Sequence, residues 1–404
     1  MTAQKLWNKN FLLLWLGHAQ SGIGNALYIV ALSYLILDLT GSPKFTAITM
    51  AAAAAPYILS PLAGTIVDRI HMKRYLVIGD FVRGSLMLII CLFGAYGTLN
   101  VLMIVGVALL LGFVGLIYRP SFAVLLPRLV PQSDVGRANA LNGLTGQISN
   151  LLGFSFGGVL VAWMGPISAI FINGVTFCMM AFLLMLIQFP NIHRKSSSNI
   201  NVWAEVREGF QFLLSSKILF MIPIIFFFMN ISYSPLEILM PLKMKALGKG
   251  PEGYGIFFAI LFIGAIMVSA WISKFGKNLN TRLNTTIGLS VMALALGGVA
   301  ASPNFFVCCV SSLVFGAGTS LVSTSNVTYV QTEVDESFRG RIFGIFGTVE
   351  QVGMPASLAL IGFFVDIVKP EVILYTMTLL LVVVSSVWFV VNKQSANSKS
   401  LDLS

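Results

Sequence analysis

The sequence predicts an all-α integral membrane protein of twelve transmembrane helices, arranged as two pseudo-symmetric six-helix bundles. Composition, a set of apolar runs with one-sided charge, and an internal repeat carry that reading. Of 404 residues, 57% are hydrophobic and 10% charged. Mean hydropathy is +0.88. Soluble domains sit near about 45–50% apolar and about 25% charged. A chain this apolar would expose more hydrophobic surface to water than monomers tolerate.

The first run follows Lys5 and Lys9 and continues to Asp38. That is too long for the apolar region of a signal peptide, so it reads as an uncleaved span. In order, the spans are expected at 11–37, 45–67, 75–97, 99–118, 138–163, 166–189, 218–241, 254–273, 284–301, 304–329, 342–365 and 371–392. Helical crossing takes about 20 apolar residues. Barrel strands would instead alternate over about ten. Gly94, Gly97 and Asn100 mark a very short turn between the third and fourth spans.

On this layout nineteen of the 25 Lys and Arg fall on the side of the N-terminus, five on the other, and Arg83 inside a span. The positive-inside rule then puts both termini in the cytoplasm, with the cell membrane as the expected location. The longest hydrophilic stretch is 190–217. Its Trp203, Val206, Phe210 and Leu213 recur at helical spacing, opposite Glu205, Arg207, Glu208 and Gln211. That pattern suits a helix lying in the inner membrane interface. The chain therefore divides into a bundle at 1–189, a cytoplasmic linker at 190–217, a bundle at 218–392 and a tail at 393–404.

A shift of 204 positions matches Gly112 with Gly316, Ser121 with Ser325, Gly136–Arg137 with Gly340–Arg341, Gln147 with Gln351 and Gly158 with Gly362. Two six-helix halves in the same orientation are the parallel-repeat plan of a large transporter class.

The net charge of +10 comes from basic residues in short gaps between apolar runs. No basic stripe is interleaved with aromatics, so nucleic acid is not an expected partner. Cys91, Cys178, Cys308 and Cys309 lie inside apolar runs and read as small hydrophobes. His18, His71 and His193 are too scattered for a metal site. The sequence has no phosphate-binding Gly-x-x-x-x-Gly-Lys loop and no nucleophile elbow. Neither an enzyme nor a cofactor is expected, and an ion gradient is the default drive. One proton moving down about 100 mV releases about 2.3 kcal/mol, enough for roughly a fiftyfold gradient of a neutral substrate.

Acids inside spans are the candidates for coupling, because a charge at the bilayer centre costs at least about 2.5–3.5 kcal/mol. Glu237 stands between Pro235 and Pro241, where a broken helix is expected to face a cavity. Glu350 lies beside Gln351 and Pro355. Either acid fits proton coupling, or a neutral hydrogen-bonded structural role. Asp80 and Arg83, three apart, are expected to form a structural ion pair. Asp38 and Asp366 read as solvated helix ends. Gln20 and Asn25 in the first span are candidate substrate contacts, as are the aromatics Tyr28, Phe226, Tyr233 and Phe257. A phenylalanine stripe also fits lipid-facing or core positions.

The loop Gly64-Thr-Ile-Val-Asp68-Arg69-Ile-His-Met-Lys73-Arg74 resembles the signature loop of the major facilitator superfamily, with His71 and Met72 departing from it. A degenerate second copy runs from Ser269 to Lys277. The resemblance implies a gate in which Gly64, Asp68, Arg69, Lys73 and Arg74, with the repeat-paired Arg137 and Arg341, latch one conformation. Ser149, Gly153, Gly157 and Gly158 make a ridge for close helix packing. This ridge resembles the family's antiporter motif, with Phe154 where proline is usual.

Arg119-Pro-Ser-Phe-Ala-Val-Leu-Leu-Pro127-Arg128-Leu-Val-Pro131, Leu37-Asp38-Leu-Thr40 and Arg207-Glu208-Gly209-Phe210 are similar to the group containing bacterial macrolide efflux proteins. The resemblance spans essentially the whole chain. It implies a monomeric proton antiporter exporting small amphipathic molecules, with protons and membrane lipid as its other partners. A lysophospholipid flippase, an uptake transporter of the same fold and a non-transporting membrane receptor stay open.

Overall fold

A computed structural model describes residues 5–59, 71–188, 202–275 and 280–401. The described residues are helical almost throughout. The helices are α1 (Lys9–Thr40), α2 (Pro43–Ala54), α3 (Met72–Ala95), α4 (Val101–Leu116), α5 (Tyr118–Leu129), α6 (Val135–Met164) and α7 (Pro166–Leu186), then α8 (Val202–Ser215), α9 (Lys217–Ala246), α10 (Pro251–Phe275), α11 (Thr281–Ala301), α12 (Phe305–Glu333), α13 (Glu336–Phe364) and α14 (Pro370–Leu401). Among the described residues, eleven helices are long and apolar enough to cross a membrane. The remaining expected span, 45–67, is described as far as residue 59, through α2 and a 3-10 turn at Ala55–Leu59.

Short polar residues start these helices where the sequence turns. The Asn8 side-chain oxygen accepts the Phe11 N–H at 3.0 Å, Asn100 caps α4, and Asn304 caps α12. Each satisfies a donor that the first helical turn leaves unpaired. Gly97, at φ +68°, makes the tight turn between α3 and α4 that its neighbours could adopt only with strain.

Contacts divide the chain into two compact units. One holds Met1–Ser196 with Met240–Ala259; the other holds Ser197–Leu239 with Ile260–Ser404. In the first unit, α1 packs on α6 and α7, α3 on α7, and α2 on α4. In the second, α11 packs on α12 and α14, and α8 on α13. The repeat-paired glycines do the same work in both. A Cβ on Gly112 would run into the Ala53 carbonyl, and one on Gly316 into the Leu261 carbonyl. Each is a helix crossing close enough for backbone contact.

The structure departs from the sequence reading in two places. The segment from Arg119 to Pro131, outside every expected span, is mostly the helix α5. Pro120 falls in its first turn, where a missing N–H costs nothing, and Leu125, Leu126 and Leu129 are buried. The break expected beside Glu237 is also not there: α9 runs unbroken from Lys217 to Ala246 through Pro235 and Pro241. A proline removes one backbone hydrogen bond from a helix interior. Burial of Leu236, Ile238, Leu239 and Met240 holds the turns around them.

Candidate functional site

In the second unit the polar stretch of α9 is built turn by turn. Asn230 Nδ2 donates to the Phe226 carbonyl at 3.0 Å, and Ser234 Oγ to the Asn230 carbonyl at 2.8 Å. One turn on, the Tyr233 hydroxyl hydrogen-bonds the Glu237 carboxyl. Glu237 is 5% exposed. Helix α13 crosses the same stretch. Ser357 Oγ donates to the Ile231 carbonyl at 2.9 Å, and Gly353 lies against Phe227 and Asn230. Phe226 meets Phe346 of α13 with ring centroids 6.3 Å apart. Tyr233, Glu237 and Phe226 thus share one helix stretch against α13. The backbone of Glu350 is in α13, one turn before Gly353; its side chain lies outside the described residues.

In the first unit, α1 is tied to α6 and α7 by polar contacts. Trp15 Nε1 donates to Thr145 Oγ1 at 2.7 Å, Ser149 Oγ to the Ala19 carbonyl at 2.9 Å, and Gln20 Nε2 to the Thr176 carbonyl at 2.9 Å. Gln20 Oε1, the Tyr28 and Tyr34 hydroxyls, Gln147 Oε1 and Asn173 Nδ2 are buried with no hydrogen-bond partner among the described residues. A buried polar group left unpaired costs about 1–3 kcal/mol, so these are places where a ligand or water gains by binding. Asn25, also expected at a pocket, is exposed on α1.

The small-residue ridge of α6 is real in geometry and faces two ways. Gly153 and Gly157 lie against Ile23, Ala26, Leu27 and Val30 of α1. Gly158 meets the start of α10, where a Cβ would come within 2.6 Å of the Pro251 carbonyl oxygen and 3.0 Å of Gly255 Cα. An aromatic cluster that sequence reasoning did not assemble surrounds that approach. Phe154 stacks on Phe258 at 4.7 Å, Tyr254 lies 4.8 Å from Phe258, and Tyr34 meets Tyr254 edge-on at 5.9 Å. Phe257 stands edge-on to Phe258 at 5.2 Å, on α10 as its span predicts and within this cluster. The replacement of the motif's proline by Phe154 is the signal for this cluster.

Asp80 and Arg83 form an ion pair, Nη1 to Oδ1 at 3.3 Å. The Tyr118 hydroxyl of α5 also donates to Asp80, a partner that the spacing on α3 gives no hint of. Among the expected gating residues, Lys73 Nζ donates to the carbonyls of Met185 and Ile187 at 2.8 Å each. It thereby caps the C-terminus of α7, where the helix dipole favours a cation. Arg137 pairs with Asp134 at 3.1 Å on the surface, and Arg74 is exposed. Gly64, Asp68 and Arg69 lie outside the described residues, as does the side chain of Arg341.

Comparison with known proteins bears on what this arrangement is. The family model described as transmembrane secretion effector matches residues 2–403. The MFS-type transporter YvqJ of Bacillus subtilis is 24% identical, over 89% of this chain and 87% of its own. Macrolide efflux protein A of Streptococcus pyogenes is 22% identical, over 89% and 90%. Among solved structures, the nucleoside transporter NupG matches with a TM-score of 0.73 at 13% identity, covering 95% of this chain and 99% of its own. That last likeness shows the fold. With the family model matched over residues 2–403 and eleven membrane-crossing helices among the described residues, the chain belongs to the transmembrane secretion effector family of the major facilitator superfamily, a family of multi-pass membrane transporters rather than enzymes.

Proposed function

We propose that this protein exports small amphipathic molecules from the cytoplasm in exchange for protons, working as a monomer in the cell membrane with both termini inside. The observation that carries the reading is Glu237: a carboxyl 5% exposed in the second half of α9, hydrogen-bonded by Tyr233. An intramembrane acid is expensive to keep, and such acids mark ion and proton pathways. The name of the macrolide efflux relative supports transport in the outward direction. The unpartnered groups on α1, α6 and α7 suit the same kind of ligand. They offer both acceptors (Gln20, Gln147) and donors (Asn173, Tyr28), as a hydroxyl- and amide-bearing molecule requires.

In this cycle Glu237 carries the coupled proton, with Glu350 as the competing acid. The loop at 64–74 gates through Asp68 and Arg69, joined by Arg74, Arg137 and Arg341. The test is uptake of radiolabelled erythromycin into inside-out vesicles with an imposed proton gradient. Glu237→Gln should abolish gradient-driven accumulation. If it accumulates as wild type while Glu350→Gln does not, the coupling site is on α13. Should no vesicle show gradient dependence, the antiport reading is wrong.

A further inference from the structure

The carboxyl of Asp80 has no exposed surface, and its Arg83 partner keeps 11% of its side chain exposed. One guanidinium nitrogen reaches one carboxyl oxygen at 3.3 Å, short of the bidentate fork that makes such pairs strong. The other carboxyl oxygen takes the Tyr118 hydroxyl. The guanidinium has its own cushion: its carbon lies 4.0 Å from the centre of the Tyr118 ring and 5.2 Å from that of Phe177. Ring faces attract a buried cation, so the acid is not its only support. A Cβ on Gly115 would come within 2.5 Å of the Tyr57 hydroxyl and 3.1 Å of Arg83 Nη2, so both groups sit against that glycine. The titratable and charged groups around Asp80 are therefore Arg83 and Tyr75 on its own helix, Tyr118 on α5, Tyr57 on the 3-10 turn, and Cys178 of α7 against Gly84.

This arrangement tolerates either charge on the carboxyl. A tyrosine hydroxyl donates to a carboxylate and accepts from a carboxylic acid, so Tyr118 stays bonded in both forms. Arg83 stays charged throughout and keeps its two rings. Tyr118 is also the first residue of α5, directly after the turn at Ile117 that ends α4. Whatever changes at Asp80 is felt at that joint. We propose that Asp80 is a second proton-binding site of the transport cycle, in the first unit, and that Tyr118 relays its charge state to the α4–α5 joint. The step is balanced: a proton from water forms the carboxyl O–H bond, and the reverse step returns it to water. The proposal rests on the proton-driven reading given above, yet uses an acid on a different helix from Glu237.

Infrared difference spectroscopy of the full chain in lipid, taken between acid and alkaline buffer, reads the site directly. The expected result is a protonated-carboxyl band present in wild type and in Glu237→Gln, and lost in the double variant Asp80→Asn/Arg83→Gln. A band unchanged by the double variant overturns the proposal. The double variant leaves neither charge buried without its partner, the costly case for such a pair, which makes transport a usable second readout. The double variant should lose about tenfold or more of erythromycin accumulation; accumulation at the wild-type level shows a merely structural pair. Where the double variant does not fold, Asp80→Glu replaces it: the band should move in frequency, and a band that stays put overturns the assignment. Loss of gradient dependence in Glu237→Gln bears on the coupling reading alone, because the infrared band of Asp80 is scored independently of it.

Discussion

Two buried carboxyls, one in each unit, are both held by a tyrosine, and the difference between them is instructive. Glu237 takes its hydroxyl from Tyr233, one turn earlier on the same helix. Asp80 takes a guanidinium from its own helix and a hydroxyl from α5, 38 positions away in sequence. A change of charge at Glu237 therefore acts first on α9 itself. At Asp80 it acts on the contact between two helices, at the point where α4 gives way to α5. The first arrangement keeps the response within one helix, and the second carries it across two.

The contrast can be broken by substitution. The largest effect is expected at Glu237: removal of its charge by Glu237→Gln should collapse a roughly fiftyfold accumulation, which is what one proton sustains at about 100 mV, measured as steady-state erythromycin in vesicles. Next is Asp80→Asn. A buried pair kept for structure alone costs about 3–5 kcal/mol when one partner is lost. With Arg83 cushioned by two rings the cost should stay near about 2 kcal/mol, as read by thermal unfolding in detergent, and a value in the higher range would undo the argument from cation–π support. Tyr118→Phe comes third, losing a hydrogen bond to a charged group, about 1.5–3 kcal/mol, together with a slower conformational exchange in double-label distance measurements. Tyr233→Phe is the smallest, about 1 kcal/mol, with no change in those distances. Equal distance changes in the two tyrosine variants would erase the distinction between the regions.

Much of the fold could be read in advance because its causes are local. Apolar run length and the Gly97–Asn100 turn each depend on neighbouring residues. The match of Gly112 with Gly316 is visible as a repeat, and both sit at backbone-close crossings. The site is less legible because its partners are distant in sequence. Nothing around Asp80 points to Tyr118, and Gln20 gives no sign of Thr176. The prolines mislead in both directions. Pro235 and Pro241 suggest a break that the packing of α9 overrides, and three prolines between 119 and 131 conceal a helix. The spacing of Phe122, Leu125, Leu126 and Leu129 is the signal for α5, masked by proline's usual meaning.

The grouping of residues 240–259 with the first unit bears on how such proteins can be recombined. The linker at 190–217 is the obvious place to join the front of one family member to the back of another. A chimaera cut there would take Gly158 from one parent and Gly255 from the other, although these two glycines pack directly together. The linker is therefore not a modular boundary for this contact. Viable hybrids should carry the tip of α9 and the start of α10 with the front parent, or else draw on two parents that both keep glycine at each position.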